Sequence, residues 1–167
     1  VIAPADGRVL STGIVPVPDD LDLPKGEWRR ISIFMNVFDV HVNRAPVAGK
    51  VIATSYHKGA FLNASLDKAS EQNERQNMVL EMASGQPVGV VQIAGLVARR
   101  ILLEAAVGDY LNIGQQYGII RFGSRVDVWL PVTTPVYVLA GQTTIAGETI
   151  LADLSGKTAE ITDGVCR

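Results

Sequence analysis

The chain has 167 residues, 47% hydrophobic and 19% charged, which suits one domain with a proper buried core. Its 15 Lys and Arg against 17 Asp and Glu leave a formal charge of -2 with no dense basic cluster, which argues against a nucleic-acid binder. One cysteine, Cys166, rules out an internal disulfide or thiolate cluster and fits a reducing compartment; no run is long enough to span a bilayer, the apolar stretch 88–98 being about half the length required.

From the N-terminus, Pro4-Ala5-Asp6-Gly7 reads as a turn feeding a strand. Residues 15–27, with Pro16, Pro18 and Pro24 among acidic neighbours, read as a loop, either a solvated connection or a lid. Strands are predicted over 30–36, 47–55, 77–82, 88–98, 119–130 and 134–139. The best helix is 65–75, with Ser65 as its cap. A partial repeat runs through this pattern. APADGRVLST at 3–12 and APVAGKVIATS at 45–55 share Ala-Pro-x-x-Gly-basic-Val, and GQTTIAGETILADL is a third relative. Repeated turn-plus-strand units predict an all-β or β-rich α+β fold, a sandwich or barrel-sandwich of β-hairpins with one short helix.

Gly123-Ser124, in QQYGIIRFGSRVDVWLP, is the only Gly-Ser pair in the chain. If 119–130 is one strand, a period of two puts Ile120, Phe122, Ser124, Val126, Val128 and Leu130 on one face, and Arg121, Arg125, Asp127 and Trp129 on the other. The hydroxyl then points to the apolar side, behind a glycine whose carbonyl is open to close approach. That arrangement suits an N-to-O acyl shift, in which the serine oxygen adds to the preceding carbonyl. The alternative is a buried serine satisfied by a backbone carbonyl. A serine nucleophile needs a base and a group to orient that base. Only His41, at the end of an apolar run, and His57, in a polar connection, offer an imidazole, and Asp6 offers a carboxylate. Each also has a structural reading, as a core histidine or as turn chemistry.

The segments PADGRV, FDVHVNRAPVAGKV, YHKGAFLNASLDKASEQNERQ and RFGSRVDVWLP, in this order and across most of the chain, resemble the phosphatidylserine decarboxylases of the shorter bacterial and archaeal type. The resemblance implies that Asp6, His41 and Ser124 form a self-processing triad. The chain would be cut between Gly123 and Ser124 into 1–123 (β chain) and 124–167 (α chain), and Ser124 would become a covalent pyruvoyl group. The implied activity is that of a carboxy-lyase: it converts phosphatidylserine to phosphatidylethanolamine and CO2 through a Schiff base, with the pyruvoyl group as electron sink and no metal. Also implied are an N-terminal membrane-associated segment ahead of Val1, a peripheral place on the cytoplasmic face of the cell membrane, and a homodimer of processed protomers. Longer bacterial members carry Leu-Gly-Ser-Thr and a second histidine shortly before the triad one. Here the site reads Phe-Gly-Ser-Arg and the earlier position is Phe38, which leaves the proton donor for decarboxylation unassigned. Arg44, Lys58, Arg121 and Arg125 are the candidates for the substrate phosphate.

Two rivals share parts of this pattern. The repeat also resembles biotinyl and lipoyl carrier domains, and Asp67-Lys68-Ala69 matches a lipoyl attachment tripeptide; Lys68 would then sit at a hairpin tip. A sugar-transport phosphocarrier would use His41, but needs a second histidine close by.

Overall fold

A computed structural model describes residues 1–97, 100–121 and 123–155. Eight strands form a curled antiparallel sheet in the order β11 (Thr143–Thr144), β1 (Gly7–Pro16), β2 (Glu27–Met35), β10 (Ser124–Leu130), β6 (Pro87–Ile93), β5 (Arg75–Glu81), β4 (Gly49–His57) and β8 (Tyr110–Leu111). A second sheet holds β3 (Val42–Arg44), β9 (Gln116–Ile120) and β7 (Ile101–Leu103), and the helix α1 spans Ala69–Gln72. The β-rich fold read from the sequence is therefore present.

The strand order is a palindrome, and the repeat explains it. β1 and β4 both open on a glycine that lies against a partner backbone: a Cβ would come 2.1 Å from the Phe34 oxygen at Gly7 and 2.7 Å from the Glu81 oxygen at Gly49. Two residues on, each strand bulges, at Val9/Ser11 and at Val51/Ala53. Each is then paired by a Gly-flanked edge strand, β11 between Gly141 and Gly147, β8 between Gly108 and Gly114, and all four glycines have positive φ. The Gly108 and Gly114 copy escaped the sequence reading, because only its glycine spacing is shared. In this register Arg8 matches Lys50, Asp6 matches Ala48, and Arg125 matches Pro87, so Gly123-Ser124 matches Gly85-Gln86.

Alternation sorts the core. Ile31, Ile33, Met35, Val126, Val128 and Leu130 point into the main core. Val79, Val91, Ile93 and Trp129 point to the other face, where they are covered by Val17, Leu21 and Leu23. The proline-bearing loop is anchored by its apolar residues while Asp19, Asp22, Pro24 and Lys25 stay exposed: Leu21 is 1% exposed, and burying such a side chain contributes roughly 1.5–3 kcal/mol.

Four expected elements differ. The run 119–130 is two strands, β9 and β10, because Gly123 adopts φ 64° and turns the chain between them; the alternation expected for Ser124 to Leu130 still holds inside β10. Strand 88–98 stops at Ile93. Residues 134–139 make a single bridge, Val136 to Ala152, rather than a strand. The helix 65–75 shrinks to one turn, with Lys68 rather than Ser65 at its cap position; Asn73 is extended, at ψ 155°, and ends it. Phe122, Ala98 and Cys166 lie outside the described residues.

Candidate active site at the head of strand β10

Ser124 opens β10 opposite Met35, on the core face shared with Val126. It is wholly buried, and its Oγ finds no hydrogen-bond partner among the described residues. The expected bland role, a serine satisfied by a carbonyl, is therefore not met. Leaving a buried hydroxyl unsatisfied costs about 1–3 kcal/mol, so its presence calls for an explanation. Gly123 holds a left-handed φ with open space where a Cβ would be, so here glycine serves the backbone turn rather than clearance.

Clearance comes instead from Gly95, just past β6. A Cβ on Gly95 would lie 1.7 Å from the Gly123 oxygen and 2.8 Å from the Gly123 carbon, with the Ala64 Cβ at 3.4 Å. Gly95 is held there by its neighbour. The Ala94 carbonyl accepts a 2.7 Å hydrogen bond from the Asn73 amide, whose oxygen accepts from Leu62 N–H and whose amide also donates to the Leu62 carbonyl. Asn73 is fully buried and ties Leu62 to the end of β6 that carries Gly95.

Beneath Ser124, Asn43 donates to the Met35 sulfur at 3.6 Å and accepts from Gln92 Nε2 at 2.9 Å. Gln92 pairs with Val126 across the sheet, so these buried polar groups share the serine's face. Neither Gly95 nor this network was singled out from the sequence. A glutamine in the apolar run VGVVQIAG was the available signal.

The other two expected residues reach the same end of the sheet. His41, half-buried, immediately precedes β3, and its carbonyl accepts from Ile120 N–H at 3.2 Å, three residues before Gly123. Asp6 sits on the turn into β1, two residues before Arg8, whose row continues through Phe34 to Arg125. Its Oδ1 accepts a 2.7 Å hydrogen bond from Ala146 N–H, a partner remote in sequence and not part of its own turn.

His57 is elsewhere. It ends β4, three strand spacings or about 14 Å from Arg125 along one row, and its Nε2 lies 3.1 Å from Ser55 Oγ and 3.6 Å from the Asp20 carboxylate, which also pairs with Arg75. His57, Asp20 and Arg75 line an open cleft of about 990 Å³ on the outer face, against Trp129 and Leu21.

Among the phosphate candidates, Arg125 is 1% exposed and forks onto Asp127 at 2.6 and 2.8 Å while donating to Ser32, so it serves the fold. Arg44 donates to the Gly114 carbonyl. Arg121 and Lys58 are exposed. Tyr117 on β9 is wholly buried, and burial raises its pKa, which keeps the phenol neutral.

A family model described as phosphatidylserine decarboxylase matches residues 1–152. The chain belongs to the phosphatidylserine decarboxylase family. Relatives named phosphatidylserine decarboxylase proenzyme are 55% identical in Xanthobacter autotrophicus over 94% of this chain, 57% in Azorhizobium caulinodans over 92%, and 54% in Rickettsia rickettsii over 94%. The chain covers 67%, 65% and 68% of their respective lengths, so it spans about two thirds of the relatives that it matches. Family membership makes this a carboxy-lyase sequence of the proenzyme kind, and all four sequence segments fall within the matched span. The carrier reading loses its ground, since Lys68 caps a helical turn instead of a hairpin tip.

Proposed function

We propose that this domain converts its own Ser124 into a pyruvoyl group and uses it to decarboxylate phosphatidylserine to phosphatidylethanolamine. The observation that carries this is the buried, unpartnered Ser124 hydroxyl behind a left-handed glycine. Such a hydroxyl has nothing to give up before it attacks.

In processing, His41 takes the Ser124 proton while Asp6 orients the imidazole and stabilises its charged form. The serine oxygen adds to the Gly123 carbon and the C–N bond breaks, leaving an ester and a free amine. Loss of the Ser124 α-proton expels the Gly123 carboxylate, and hydration of the resulting dehydroalanine releases ammonia. The second copy places Ala48 at the position of Asp6 and still forms the turn into its strand, which supports a chemical use of the acid beside its hydrogen bond with Ala146. In the decarboxylase the pyruvoyl carbonyl supplies the electron sink for CO2 loss. The apolar surroundings of Ser124 disfavour a substrate carboxylate relative to neutral CO2.

Substrate would arrive from a bilayer. No helix among the described residues is long and apolar enough to cross one. The end of the sheet that carries Ser124 is nevertheless rimmed by exposed apolar side chains: Val37, Phe38 and Val40 after β2, and Leu96 and Val97 after β6. Phe38 is 94% exposed, a position that suits contact with lipid.

Intact mass under denaturing conditions tests the central claim. Two fragments split at Gly123, the C-terminal one about 17 Da lighter than its serine form through loss of ammonia, are expected. Ser124→Ala should stay one chain and release no CO2 from phosphatidylserine. A folded wild-type chain that never splits sinks the reading.

A further inference from the structure

We infer that Gly95 is a positioning residue for chain cleavage: its bare backbone forms the wall against which the Gly123 carbonyl is set for attack. This rests on the self-processing reading above. Nucleophilic addition turns the Gly123 oxygen into an oxyanion and pyramidalises its carbon, so a group packed on that oxygen sets the direction from which the carbon is reached. Gly95 is that group. The space for a Cβ is taken by the oxygen itself, at 1.7 Å, and by the carbonyl carbon at 2.8 Å. Both are backbone atoms and cannot swing aside as a side-chain tip would.

The wall is anchored rather than incidental. Asn73 fastens Ala94, and with it Gly95, to Leu62, while Ala64 closes the remaining side of the contact. Gly95 has ordinary φ and needs no glycine for its own backbone, so the missing side chain answers to the contact alone. Gly89 on β6 makes a useful contrast. A Cβ there would meet the side chains of Leu23 at 2.9 Å and Trp129 at 3.1 Å, on the outer face. Gly95→Ala must push the Gly123 carbonyl away by more than about 1 Å, a displacement that can cost on the order of a hundredfold in rate.

The test uses chains made by cell-free translation and follows cleavage of the soluble, protease-resistant fraction by denaturing intact mass, alongside thermal midpoints. Wild type should split, Ser124→Ala should not, and Gly89→Ala should melt lower yet split at the wild-type rate. Gly95→Ala should accumulate as a folded precursor, with cleavage slowed on the order of a hundredfold. Folded Gly95→Ala that splits as fast as wild type overturns the inference and leaves self-processing intact, whereas folded wild type that does not split removes the reading beneath it. Slowing in Gly89→Ala to the same degree also overturns it, since loss of stability would then suffice. If Gly95→Ala yields no folded fraction, Ala64→Val adds bulk at the same contact; slowed cleavage in its folded fraction supports the wall, and wild-type cleavage overturns it.

Discussion

At the scale of single residues, the internal repeat supplies a control that few active sites carry. Asp6 and Ala48 occupy matching turns, each followed by a glycine and a basic residue at the start of a strand. Asp6→Asn should therefore lower stability by less than about 1 kcal/mol, since the amide oxygen still accepts from Ala146 N–H and only the charge is lost, while slowing self-cleavage roughly a thousandfold or more because the imidazole loses its orienting charge. Ala48→Asp should do neither. Thermal midpoints and the time course of fragment appearance read both effects, and a full-rate Asp6→Asn chain would remove the acid from the mechanism. Asp6, His41 and Ser124 were singled out by the resemblance of their segments to the family; two histidines and one Gly-Ser pair narrowed the base and the nucleophile, whereas Asp6 is one of 17 acids and composition alone does not pick it. Gly95 was not legible, being one of 16 glycines whose importance depends on a carbonyl 28 positions away. Arg125 stood among the candidates for the substrate phosphate because a basic residue on the face opposite the apolar one carries no mark of burial by itself. Its partner Asp127, two residues on and on the same face of the strand, was the clue.

At the scale of elements, alternation and turn residues located most strands, whereas long-range contacts decided where elements stop. The polar run 65–75 has helical composition, yet the Asn73 side chain is committed to Leu62 and Ala94, and that commitment ends the helix after Gln72. Leaving those buried partners unmatched would cost about 1–3 kcal/mol per group, more than a further helical turn returns. The same logic shortens β6, whose continuation turns away to carry Gly95 and the exposed Leu96 and Val97. The two apolar loop tips make a joint prediction. Phe38→Ser combined with Leu96→Ser should lower partition into phosphatidylserine vesicles by tenfold or more, on roughly 1.5–3 kcal/mol per inserted side chain, while leaving self-cleavage unaffected. Flotation of the two proteins with vesicles measures it, and equal partition would move the lipid face elsewhere.

At the scale of the whole molecule, duplication built a scaffold to which the chemistry was added on one side. Gly85-Gln86 stands in the second copy where Gly123-Ser124 stands in the first, with the same left-handed glycine, but there a tight hairpin joins β5 to β6. In the first copy the connection from β2 to β10 runs through β3, the whole second copy and β9, and the His41 carbonyl accepts from Ile120 N–H three residues before Gly123. The place of β10 between β2 and β6 then decides what kind of object the cut chain becomes. On the proposed cleavage, strand pairing along both edges of β10 would keep the fragments together on dilution, so that the product would behave as one body although it has two chains. Assembly has no such protection. Once unfolded, a severed middle strand must find its slot from solution, a second-order search in place of a tethered one. Refolding of cleaved protein should therefore slow and lose yield as it is diluted, while Ser124→Ala refolds at a rate independent of concentration. On that reading the precursor is the form that folds as a single tethered chain, and the cut form would persist through the height of its unfolding barrier rather than through an equilibrium it can revisit.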